Sequence, residues 1–94
     1  MRIISQNGKV DLPYEQVGVQ INNLNKKDII AYPIHVAGES HWTLAKYSTE
    51  EKAVKAMEML STDYGSYKQV KSSNGYYFVF NYPKVFRFPQ DSDM

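Results

Sequence analysis

His35 and His41 are the two histidines of the chain and the first side chains to test for chemistry. His41 follows Ser40, which sets a nucleophile beside a base, but residues adjacent in sequence seldom aim at each other. No third group stands ready to orient the imidazole. His35, His41 and the intervening Glu39 offer three donors around a turn, where a structural metal site takes four. Cysteine is absent, which removes thiolate ligation and disulfides together. The glycines stand singly in turns and form no phosphate-cradling loop. Glu50, Glu51, Glu58 and Asp63 fall on or beside a helix as solvated charges, without the buried or like-charge setting that tunes a catalytic carboxylate. The expectation is a protein with no enzyme active site, no metal and no cofactor.

The segment from Tyr64 to Phe88 is more informative. It carries Tyr64, Tyr67, Tyr76, Tyr77, Phe78, Phe80, Tyr82, Phe86 and Phe88, and its charges, Lys68, Lys71, Lys84 and Arg87, are all positive. Three readings stay open for these rings: a strand buried on both sides, a subunit interface rich in Tyr and Phe, or a surface for a ligand. In the last, Arg87, Lys71 and Lys84 meet phosphate while Tyr76, Phe78 or Phe80 stacks a base.

The elements that must position these residues follow from pattern. Residues Arg2 to Ser5 read as an opening strand, and Asn7-Gly8 as a type I′ hairpin turn leading to Val10–Leu12. Val17, Val19 and Ile21 alternate with polar or small residues, as a half-buried strand does. Ile29 to Val36 and Trp42 to Lys46 read as further strands, with Pro33 marking an edge or bulge. Ser48 and Glu51 fit a capping box, and Ala53, Val54, Met57 and Leu60 follow at helical spacing up to Gly65. Glu51 and Lys55 are spaced to pair across one turn. Beyond the helix, Tyr67–Lys71 and Tyr76–Asn81 flank a second Asn-Gly turn. A two-residue turn there sets Val70 opposite Val79 and puts Gln69 and Lys71 in the rows of Phe78 and Phe80. Val85–Phe88 is the last strand.

These readings sum to an α+β fold, an antiparallel β-sheet with one main α-helix packed on one face, as a single domain over 1–89 with a frayed tail over 90–94. With 94 residues and a net charge of +1, the chain is small enough to gain from forming a homo-oligomer and too neutral for generic nucleic-acid binding. No run approaches the ~18 apolar residues of a membrane span. The first residues reach a turn before any signal-peptide core, so the expected place is the cytoplasm of a host bacterial cell.

Three blocks carry a resemblance: Met1–Gly8 with Asp11–Glu15, Tyr47–Ala53 running on to Ala56–Leu60, and Phe86–Asp91. Together they resemble a group of small proteins carried by phages and integrated elements of Gram-positive bacteria. Within that group the chain is similar to the Thoeris anti-defence proteins of the first type. The resemblance implies a non-enzymatic sponge that sequesters a cyclic ADP-ribose-like signal or a cyclic oligonucleotide, with Arg87 carried over as a ligand-binding residue. Two alternatives stand beside it. One is an anti-CRISPR-type inhibitor that binds an effector nuclease through the aromatic segment or the acidic helix. The other is a structural or regulatory phage protein with no small ligand.

Overall fold

Phe86 and Phe88, near one end of the chain, pack into the same core as Ile3 near the other, and that closure organises the fold. The computed structural model describes residues 1–34, 40–65, 68–71, 77–80 and 85–94. Strands β1 (Arg2–Ile4), β2 (Asp11–Pro13), β3 (Val17–Ile21), β4 (Asp28–Pro33) and β5 (Trp42–Lys46) precede the helix α1 (Glu50–Gly65). Strands β6 (Lys68–Lys71), β7 (Tyr77–Phe80) and β8 (Val85–Arg87) follow it. The class is α+β, as expected, with antiparallel pairing dominant and α1 packed against β3.

The strands divide into separate sheets, β2-β1-β8, β3-β4-β5 and the pair β6-β7. Within the first, β8 runs parallel to β1, with Ile3 beside Phe86. A parallel pair cannot be joined by a tight turn, so everything from β2 to β7 serves as the connection between them. In the second sheet, Val17, Val19 and Ile21 of β3 pair with Pro33, Ala31 and Ile29 of β4 and pack toward the core. Ala53, Ala56 and Leu60 of α1, at helical spacing, close that core from above with Leu44, Ala45 and Tyr47. Burying each large apolar side chain contributes roughly 1.5–3 kcal/mol. Phe86 and Phe88 meet edge to face, ring centroids 5.1 Å apart.

A bulge joins the two larger sheets. Ile29 pairs with Ala45 and Ile30 with Thr43, which leaves Leu44 without a partner across the ladder. The Leu44 carbonyl instead accepts the Gln6 N–H at 2.7 Å. Gln6 makes three more bonds: its Oε1 accepts the Lys46 N–H, its Nε2 donates to the Pro89 carbonyl, and its own carbonyl accepts from Gln90 Nε2. Gln90, in the stretch 90–94 read from sequence as a frayed tail, thus bonds to the turn after β1. Residues Asp91–Asp93 form a 3-10 turn whose Asp91 carboxylate accepts the Ser48 N–H at 2.7 Å and meets Lys52 Nζ at 3.3 Å.

Several local expectations change. Asn7 does not take positive φ, and Gly8 alone does, at +76°, so the first turn is not type I′. The Asn7 side chain explains this by accepting the Lys9 N–H and the Ser5 hydroxyl, which stabilises a longer loop closed by Ser5 and Val10. The helix cap is Thr49, whose hydroxyl accepts the Lys52 N–H, and not Ser48. Val54 lies on the exposed side of α1. Among the described residues Glu51 and Lys55 make no ion pair, and Lys52 turns to Asp91. In the β6-β7 pair Val70 stands opposite Phe78 and Gln69 opposite Val79, one residue out of register from a two-residue turn. Lys71 thus stands opposite Tyr77 and leaves the row of Phe78 and Phe80.

Candidate functional site

Strand β8 alternates in the manner its pleat requires, with Phe86 turned into the core and Val85 and Arg87 exposed. The two arginines have different fates. Arg2 is committed, its Nε donating to Asp11 Oδ1 at 2.7 Å. Arg87 makes no ion pair or side-chain hydrogen bond among the described residues. Its Nη1 reaches the turn between β1 and β2, where it lies 3.5 Å from the place a Cβ on Gly8 would take. Glycine at position 8 supplies the left-handed turn, and a Cβ there would meet the guanidinium only at ordinary contact distance.

Beside β8 lies a groove of ≈ 600 Å³ lined by Val85, Phe86 and Arg87 on one side and α1 on the other. The helix contributes Lys55, Glu58, Met59, Thr62 and Asp63, which recur at the three- and four-residue steps that line up on one helical face. The groove thus sets two cations, Lys55 and Arg87, against two carboxylates, Glu58 and Asp63, with apolar surface from Met59, Val85 and Phe86. Such a lining suits a ligand that carries both negative charge and hydrogen-bond donors, more than a bare polyanion. A second depression, ≈ 550 Å³, lies on the outer side of α1 along Glu50, Glu51, Val54, Lys55 and Glu58. A smaller one, ≈ 280 Å³, sits at the seam between Gln6, Asn7 and β5.

Of the residues expected at a ligand site, Arg87 lies in the first groove. Lys71, Phe78 and Phe80 belong to β6 and β7, where the backbone is described and the side chains are not. Tyr76 and Lys84 lie outside the described residues, as do His35 and Glu39. Phe86 and Phe88 take the core reading of the aromatic segment. The α1 wall of the groove was not anticipated. Its signal was present in the sequence as Lys55, Glu58, Met59 and Thr62 at helical spacing, hidden because the expected Glu51–Lys55 pair accounted for Lys55. Among the described residues no group of three His, Asp or Glu side chains is placed to hold a metal ion.

No protein-family model, curated protein or solved structure matches this chain. Among the described residues no helix is long and apolar enough to cross a membrane.

Proposed function

We propose that this chain is a non-enzymatic counter-defence protein of a phage or mobile element that captures a nucleotide immune signal, cyclic ADP-ribose-like or a cyclic oligonucleotide. The observation that carries the reading is Arg87, an arginine with no ion-pair partner among the described residues, on the rim of a groove of ligand size. A guanidinium in that position is suited to bidentate phosphate binding. Lys55 adds a second cation, and Glu58 supplies an acceptor of the kind that binds ribose hydroxyls. Met59 and Val85 provide exposed apolar contact for a base.

A thermal-shift screen against cyclic ADP-ribose isomers and cyclic di- and trinucleotides tests this directly. A ligand that binds the native state at a hundred times its dissociation constant stabilises by about 2.7 kcal/mol. For a domain of this size that raises the melting temperature by more than ~5 °C. The expected result is such a shift with at least one nucleotide, lost in Arg87→Ala while the unliganded melt stays in place. A flat panel, on protein shown by mass spectrometry of a denatured sample to carry no nucleotide, overturns the reading.

A further inference from the structure

We infer that the outer face of α1 around Val54 is a docking surface for a basic protein segment that carries apolar anchor residues. A surface helix normally keeps its apolar residues on one stripe toward the core, and here Ala53, Ala56 and Leu60 fill that stripe. Val54 lies outside it, 39 % exposed, in a depression of ≈ 550 Å³ whose other lining residues are Glu50, Glu51, Lys55 and Glu58. Three carboxylates against one ammonium leave this patch with a net negative formal charge. None of the three glutamates has an ion-pair partner among the described residues.

Glu50 and Glu51 have a structural role as well, since acids in the first turn complement the helix dipole. That role does not extend to Glu58, two turns further on, nor to Val54. An apolar residue ringed by carboxylates matches a partner whose lysines or arginines flank an apolar side chain. The charges would then guide encounter while the apolar contact slows release. Lys55 and Glu58 line both depressions, but the inference does not rest on the nucleotide reading, because Glu50, Glu51 and Val54 lie outside the groove of Arg87.

Fluorescence anisotropy with a labelled amphipathic peptide of Leu and Lys, its leucines at helical spacing, provides the test. Two control peptides replace every Lys by Glu or every Leu by Ser. The Leu/Lys peptide is expected to bind, to weaken about ten-fold as salt screens the surface, and to outbind both controls. Val54→Asp and the double change Glu51→Gln with Glu58→Gln should each weaken it about ten-fold, with thermal melts confirming that the variants fold. Equal binding of the Ser/Lys control would reduce the surface to charge alone and overturn the proposal. Unchanged affinity in the glutamate or Val54 variants would overturn it too, whatever nucleotides do in the other groove.

Discussion

The phenol ring of Tyr32 lies across the backbone of Gly18, so that a Cβ at position 18 would stand 2.6 Å from both Cε2 and the phenol oxygen. The two residues are partners across β3 and β4, on the sheet face opposite Val19 and Ala31. Gly18 does not need positive φ, so what position 18 demands is room. A glycine inside a strand is a weak point, and the ring covers it. Gly18→Ala should therefore lower stability by about 1 kcal/mol while Tyr32 is present. In a Tyr32→Ala background the same change should be neutral or stabilising by about 0.5 kcal/mol, because alanine restricts the unfolded chain. Urea melts of the four proteins give the coupling, and additive effects would mean the ring contact contributes nothing.

The helix start offers a cleaner contrast. Thr49 accepts the Lys52 N–H through its hydroxyl, whereas Ser48 contributes its backbone N–H to Asp91. Thr49→Ala is expected to cost about 1 kcal/mol and Ser48→Ala close to nothing. Chemical denaturation of the two single variants decides it, and the reverse order would return the cap to Ser48.

That one-residue error shows what the sequence could and could not reveal. The helix, the Ala53, Met57 and Leu60 positions of its core stripe and the strands β3 to β5 were legible because period and propensity are local properties, whereas Val54 was placed on the wrong side. The cap moved because Asp91, forty-three positions away, holds the Ser48 N–H. The β1–β8 pairing was invisible for the same reason: nothing in Met1–Gly8 or Val85–Phe88 encodes that Ile3 will lie parallel to Phe86. Gln6 read as one polar residue before a turn, and only the bulge at Leu44 turns it into a junction. Arg87 could be named from its charge and neighbours. That Arg2 pairs with Asp11 while Arg87 has no ion-pair partner among the described residues is something composition does not show.

Tyr47 links core to chain end and should report it through pH. Its ring is buried and its hydroxyl donates to the Pro89 carbonyl at 2.9 Å. Burial, with the nearby Asp91 charge, pushes its pKa up to about 12 from an ordinary 10. A raised folded-state pKa means the neutral hydroxyl is favoured in the fold. Its contribution is complete below pH 10 and is lost as pH rises toward 12. Tyr47→Phe should cost about 1 kcal/mol at neutral pH through the lost hydrogen bond. It should also flatten the decline in melting temperature across that alkaline window. Parallel declines in the two proteins would show that Tyr47 ionises without consequence for folding.

Gln6 is where β1, β5 and the chain end meet, and its amide is used on both sides. Oε1 accepts the Lys46 N–H at 3.0 Å and Nε2 donates to the Pro89 carbonyl at 3.2 Å. Gln6→Ala removes both bonds and leaves the backbone bonds to Leu44 and Gln90 available, for an expected loss of about 1–2 kcal/mol. Gln6→Glu separates the two roles. A carboxylate still accepts from Lys46 but turns a negative oxygen toward the Pro89 carbonyl, which disfavours the charged form in the fold. The folded-state pKa of that glutamate should rise, so its variant should be most stable in acid and lose stability as pH climbs through that raised value. Melts of Gln6→Glu and wild type from pH 4 to neutral should therefore diverge as pH rises. A constant difference across the range would mean that the donation to Pro89 is dispensable, with the junction resting on Lys46 and the backbone bonds to Leu44 and Gln90.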